Sequence, residues 1–266
     1  MSAAATEDWD ALDAELDRWT AAGRTATFWW RDDDAVDDTP ALGRLAEAAD
    51  AAPIGLAVIP AGATEALAAR LAAQPGWTCL QHGFRHANHA PPGEKKAEFG
   101  AHRAVADMLG DLAHGRRLLE PLFGRRFLPM LVPPWNRIAA ELAAALSRAG
   151  YRGLSAFGDK ALPAPGLIRL DCHCDPVDWH GTRGFIGVQA ALAPLLHHLC
   201  ARRSGDTPDR PTGLLTHHLA MDDATWRFCA MLRQRTALHT AARWVAPAAA
   251  IAAADALNTE ADRIEE

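Results

Sequence analysis

Residues 28–35 read Phe28-Trp29-Trp30-Arg31-Asp32-Asp33-Asp34-Ala35, an aromatic run that ends in three consecutive carboxylates. Aromatic side chains suit a pleated, half-buried strand and Asp is depleted from strands, so the stretch reads as a strand whose downstream end opens into something polar. Three adjacent negative charges repel one another. Unless they are simply solvated, they need a cation or a shared proton to sit together. A solvated acidic turn ahead of a helix cap explains the triplet equally well until the rest of the chain is read.

Outward from this stretch, short apolar runs alternate with helical patterns. Trp9, Leu12, Leu16 and Trp19 recur at spacings of three and four and predict a helix over 7–22. Thr39 and Pro40 make a cap and first helical position leading into Leu42, Leu45 and Ala49. Strands are expected at 54–60, 77–81, 127–132, 153–156, 167–170 and 213–216. Helices are expected at 65–72, 94–119, 189–203 and 223–243, and a further one on Ile138, Leu142 and Leu146 that Gly150 ends. Strand and helix alternate about seven times, which points to parallel strands joined by crossover helices.

The polar residues keep phase with this pattern. Asp32–Asp34, His82, Pro133–Arg137, Asp171–Asp178 and His217-His218 all stand at downstream ends of strand candidates. In barrels of alternating strands and helices, loops after several strands build one catalytic rim. No composition break, linker or repeat divides the chain. The expected organisation is an N-terminal helix (1–23) packed on a barrel domain (24–246), then an Ala-rich and finally charged tail (247–266).

Composition narrows the classes. The 266 residues are 49% apolar and 23% charged, ordinary for a globular protein, with a formal net charge of −6. No concentrated positive surface is visible for nucleic acid. No run is apolar and long enough for a membrane span, and residues 1–17 lack the basic start and apolar core of a signal peptide. Five cysteines without CxxC spacing suggest reduced thiols. Cys172-His173-Cys174 reads as buried thiols rather than a zinc site, because neighbouring strand residues face opposite ways. A cytoplasmic setting is the expectation.

His82-Gly83-Phe84-Arg85-His86 places two imidazoles four residues apart, able to point at one centre from a helical turn or a tight loop. With a carboxylate from another strand end they form a two-His, one-carboxylate set that leaves positions for water and substrate. Read in isolation, the spacing fits loop histidines satisfied by backbone groups better; combined with the carboxylate, a divalent metal is the expectation, zinc first among the transition metals.

In order, Asp33-Asp34, His82-x-x-x-His86, Pro134-Trp135, Asp175-Pro176-Val177-Asp178-Trp179 and Leu215-Thr216-His217 follow the five motifs of the polysaccharide deacetylase superfamily. The chain resembles that superfamily over roughly residues 24–220. The resemblance implies an α/β fold, a distorted (β/α)7-type barrel in a single domain, and metal-dependent removal of acetyl or similar acyl groups from amino sugars or related amides. It implies Asp33 as general base, Asp34, His82 and His86 as metal ligands, and His217 as general acid. Asp32-Asp33 could instead be the pair, and His218 the acid. Asp175 and Asp178 are candidates for orienting the acid; Trp135, Asn136, Arg137 and Trp179 are candidates for substrate contact.

Departures from the pattern stand beside the matches. Val132 occupies the position of the family's Arg, leaving Arg31 or Arg137 as candidate replacements; Trp135 replaces Tyr, and Ala35 stands where the family has Gly. The expected partner is an acetylated sugar or small-molecule amide, with no nucleic acid and no membrane span. A non-catalytic ligand-binding barrel is the alternative. An unrelated amidohydrolase ranks third, since that class opens with HxH where this chain has Asp32-Asp33-Asp34.

Overall fold

In a computed structural model, which describes residues 3–158 and 162–265, the aromatic stretch becomes the central strand β1 (Ala26–Ala35). The strand does not stop at the acids, as their low strand propensity suggested, but runs through all three. Each acid finds its own partners, and Asp32 and Asp33 are buried.

β1 pairs with β2 (Ile54–Val58) on one edge and with β7 (Thr212–Thr216) on the other. From β2 the sheet continues through β3 (Thr78–His82), β4 (Phe127–Val132), β5 (Gly153–Leu154) and β6 (Ile168–Arg169). A short strand β8 (Ala242–Trp244) pairs with the first residues of β1. All these pairings are parallel. The sheet curls, and residues 172–174 bridge toward β7, with the N–H groups of His173 and Cys174 donating to the Gly213 carbonyl at 2.8 and 3.1 Å. A side chain at Gly213 has no room: a Cβ would lie 2.4 Å from the Asp171 carbonyl oxygen. The result is one distorted (β/α) barrel.

Strand alternation sorts the side chains. Trp29, Leu80, Met130, Val132, Cys172 and Leu215 form the inner cluster, whereas Phe28, Trp30, Ile54, Leu56 and Cys79 join the larger cluster under the helices. Helix α1 (Ala3–Ala21) buries Trp9, Leu12, Leu16 and Trp19 in that outer cluster, against α6 (Val188–Ser204). α2 (Pro40–Ala49) starts as its cap predicts, the Thr39 hydroxyl accepting from the Leu42 N–H at 3.2 Å. α3 (Glu65–Ala73), α5 (Ala140–Ala145) and α7 (Asp223–Leu238) complete the outer layer near their expected positions. α8 (Pro247–Glu265) places Ala250 and Ile251 in the inner cluster at the upstream ends of the strands, beside Gly55 and Gly153. Of the tail read from sequence, Glu266 lies outside the described residues.

Two helix boundaries differ most from the sequence reading. The helix expected from 94 begins only at Val105 as α4 (Val105–Phe123). Residues 88–99 spend their backbone groups on loop partners instead: Ala97 N–H on the Asn88 side chain, Ala97 carbonyl on His89, Phe99 carbonyl on Ala139. The helix expected to reach Arg243 stops at Leu238, and β8 follows; Trp244 stacks on Phe28 with ring centroids 5.4 Å apart, and its Nε1–H donates to the Thr236 hydroxyl.

One buried pair in this frame makes stability depend on pH. His173 and His198 stack with centroids 3.4 Å apart; His198 Nδ1 bonds Thr212 and His173 Nδ1 accepts from the Gly213 N–H. Burial, then the neighbouring charges of His173 and Arg202, push His198 down to about 2. The unfolded chain takes up this proton near its ordinary value of about 6.5 while the folded chain resists. This stabilising contribution is therefore full above about pH 6.5 and is lost as pH falls below it, by up to about 1.4 kcal/mol per pH unit. Urea midpoints between pH 4 and 8 should show this slope, and His198→Gln should flatten it; equal slopes in both proteins would refute the assignment.

Candidate active site

At the downstream rim β1 and β3 bring three ligand-type side chains together. The β1–β2 register shifts between Asp32 and Ala35, and Asp34 sits there at φ 71°. Asp34 Oδ1 lies 3.1 Å from His82 Nε2 and 3.4 Å from His86 Nε2, and all three ligand atoms fall within 4.8 Å of one another. His82 is the last residue of β3, and His86 follows on a tight loop at φ 56°.

The protonation pattern tests whether this set suits a cation. His82 Nδ1 lies 2.9 Å from the Val132 carbonyl, which can only accept, so Nδ1 carries a proton and Nε2 turns toward Asp34. A neutral His82 would thus aim a lone pair at a carboxylate, so positive charge is required between them. Burial opposes a charge on His82, but Asp33 and Asp34 outweigh it and raise the imidazole. Burial would likewise raise Asp34; the hydrogen bond and charge of His82, then His217 and His86, outweigh it and hold the carboxyl well below the usual range. Burial and His82 lower His86, leaving it a neutral donor. Tetrahedral bonds of about 2.0–2.1 Å give ligand–ligand edges of about 3.3 Å, close to the 3.1 and 3.4 Å from Asp34 to the two imidazoles, with all three atoms inside 4.8 Å. Donor chemistry and spacing both fit a divalent ion.

Asp33 points into the barrel beside this centre and is gripped by Arg31, two residues back on the same strand face. Arg31 Nη2 donates to Asp33 Oδ2 at 3.0 Å, and Nε lies 2.9 Å from Oδ1, a contact too far off line for a hydrogen bond. The guanidinium is fully buried, and its other donors reach Asn136 Oδ1 (2.7 Å), Ser155 Oγ (2.7 Å) and the Ala156 carbonyl (3.2 Å). Burial works against this charge, but Asp33 more than offsets it and raises Arg31. Arg31 therefore ties the ends of β1, β4 and β5 to one carboxylate. Of the two replacement cations suggested by sequence, Arg31 is at the centre. Arg137 is not: its Nη1 donates to the Lys96 carbonyl.

Asp32 faces the other way, toward the helices. It accepts from the Thr216 hydroxyl (2.6 Å), the His218 N–H (3.1 Å) and His218 Nδ1 (2.5 Å), and Trp30 Nε1–H donates to Thr216. Burial opposes a charge on His218, yet Asp32 raises the imidazole. This is a buried ion pair joining β1 to the turn after β7, behind the sheet. The structure thus groups Asp34, not Asp32, with the two imidazoles.

His217 faces the centre, its Nε2 3.9 Å from Asp33 Oδ2. Its ring meets Trp179 edge-on at 4.6 Å, and its Nδ1 is buried with no partner among the described residues. Asp175 accepts from Trp179 Nε1–H (2.7 Å) and the Val177 N–H (3.1 Å). Burial raises Asp175 although the nearby His217 charge opposes it. Asp178 stays outside this group, capping a turn through the Gly181 and Thr182 N–H groups. Trp135, at φ 57°, packs its ring 4.3 Å from His86. Asn136, a candidate substrate contact by sequence, is engaged by Arg31. Ser155 escaped the sequence reading, because a lone Ser after a short apolar run carries no pattern.

No protein-family model matches the chain, and no curated protein does. Solved structures do. A candidate polysaccharide deacetylase from Mycobacterium smegmatis superposes with a TM-score of 0.67 at 14% identity, over 89% of this chain and 92% of that one. A point variant of a Bacillus subtilis peptidoglycan deacetylase gives a TM-score of 0.54 at 12% identity, over 92% and 98%. A carbohydrate-esterase pseudoenzyme from Bacillus anthracis gives 0.51 at 10% identity, over 86% and 66%. This barrel, with its rim of carboxylates and imidazoles, therefore has the fold of the polysaccharide deacetylases.

Proposed function

We propose that the protein is a metal-dependent hydrolase of the polysaccharide deacetylase type, removing an acetyl or similar acyl group from an amino sugar or a related amide. The observation that carries this reading is the convergence of Asp34, His82 and His86 beside an Arg31-held Asp33, with His217 on the far side of Asp33. A divalent ion held by the first three, zinc by preference for this donor set, would polarise the acyl oxygen and lower the pKa of a bound water. Asp33 accepts the proton of the attacking water, with Arg31 holding the carboxylate in place through Oδ2. His217 Nε2 delivers a proton to the leaving nitrogen, with Asp175 as the neighbouring carboxylate. Trp179 orients both partners, through its N–H to Asp175 and its ring edge to His217. Trp135 and Trp179 supply apolar walls for the acyl group or a sugar face.

The pseudoenzyme among the similar structures and the Val132 position favour a second reading, a barrel that binds without hydrolysis. Elemental analysis of the purified protein, followed by an acetate-release screen over acetylated amino sugars and small amides, separates the two. About one divalent ion per chain together with acetate release is expected, and Asp34→Ala or His82→Ala should lose stoichiometric binding. Bound ion without release across the screen would favour the second reading; no ion would refute both metal roles.

A further inference from the structure

Between the two imidazoles the chain makes a tight loop, and a carboxylate from farther along occupies the space beneath it. Glu98 is 1% exposed; its Oε1 accepts from the Arg85 N–H at 2.8 Å and its Oε2 from the Phe84 N–H at 3.2 Å. The loop enters through Gly83 at φ 59° and leaves through His86 at φ 56°. A Cβ at Gly83 would lie 2.0 Å from Glu98 Oε2 and 2.7 Å from Pro134 Cγ, so glycine is required both by the backbone angle and by the carboxylate's closeness. Glu98 is itself fixed from both sides. Arg103 Nη1 donates to its carbonyl at 3.1 Å, the Asn88 side chain accepts from the Ala97 N–H at 3.0 Å, and the Phe99 carbonyl accepts from the Ala139 N–H at 2.7 Å.

We infer that Glu98 is a positioning residue for the ion-binding loop: its buried carboxylate locks the backbone of Phe84 and Arg85, and thereby the left-handed turn that aims His86 at Asp34 and His82. A non-glycine residue in that conformation is strained and persists only where its surroundings over-determine it. Two charge-assisted hydrogen bonds to successive N–H groups supply that constraint. The loop is thereby held in its ligating shape before any ion arrives. The inference rests on the ion-binding reading proposed above.

Zinc affinity, measured by competition with a chromophoric chelator, tests it. Glu98→Gln keeps the shape but replaces one accepting oxygen with an NH2 that faces a backbone N–H. It should weaken zinc binding about 10–100-fold, the range for residues that orient metal ligands from outside. Ile251→Ala, at the opposite end of the barrel, should lower the melting temperature and leave zinc affinity at the wild-type value, separating a local effect from general destabilisation. In the metal-free wild type, amide exchange at Phe84 and Arg85 should be slow, and in Glu98→Gln fast. Wild-type zinc binding matched by Glu98→Gln would overturn this inference and leave the ion site standing; a wild type that binds no zinc would overturn both. Should Glu98→Gln fail to fold, fast exchange at both amides of the metal-free wild type overturns the inference, and slow exchange supports it.

Discussion

An Asp33→Asn variant is expected to keep its stoichiometric divalent ion while acetate release falls by about 10²–10⁴-fold, the usual contribution of a general base. In the proposed reading the ion's ligands are Asp34, His82 and His86, so an isosteric amide at position 33 removes a charge and a proton acceptor without removing a donor atom from the set. Asp33 is also the counter-ion of a fully buried guanidinium, so the same substitution strands Arg31 and should lower the melting temperature. Turnover measured well below the transition, in parallel with ion content, separates the two effects. The double variant Arg31→Met/Asp33→Asn should recover stability and remain inactive. Loss of the ion in Asp33→Asn, or activity near wild type, would show that the carboxylates have been given the wrong roles.

Much of this arrangement was legible in the sequence because it depends on phase. Apolar runs ending at Asp32–Asp34, His82, Pro133 and His217 required only parallel strands to carry those residues to one rim. What the sequence left ambiguous was the choice within Asp32-Asp33-Asp34, and the fold resolves the geometry by alternation. Asp33 shares the inner face with Arg31 and Asp32 turns outward to His218, while the irregularity after Asp32 frees Asp34 to lean toward β3. The strand was expected to end at the acids because Asp carries a low strand propensity. Propensity reflects unpaired carboxylates on half-wet surfaces, and here Asp32 and Asp33 each have a buried cation. β8 and the loop over 88–104 could not be read for a different reason. Their conformation is set by contacts across long stretches of chain, such as Trp244 with Phe28 and Phe99 with Ile138, which leave no local period.

Arg31→Met should show the largest loss of stability, about 3–5 kcal/mol, the cost of breaking a buried ion pair by removing one partner. The guanidinium touches Asp33, Asn136, Ser155 and the Ala156 carbonyl together, so its loss leaves a buried carboxylate uncompensated and takes the donor from the Asn136 and Ser155 side chains, while the Ala156 carbonyl keeps the Cys172 N–H. Lysine cannot stand in: an ammonium is a point charge on a flexible stem, whereas these acceptors lie in several directions around a planar fork. Arg31→Lys should therefore fall nearer to Arg31→Met than to wild type, in both urea midpoint and turnover. In a double-mutant cycle, Arg31→Met and Asp33→Asn should be strongly non-additive, because once one charge is gone removing the other relieves an unpaired ion. Additive losses would mean that Arg31 serves Asn136 and Ser155 alone. A counterpart to the arginine that the sequence resemblance expects at position 132 would then have to be sought on another element.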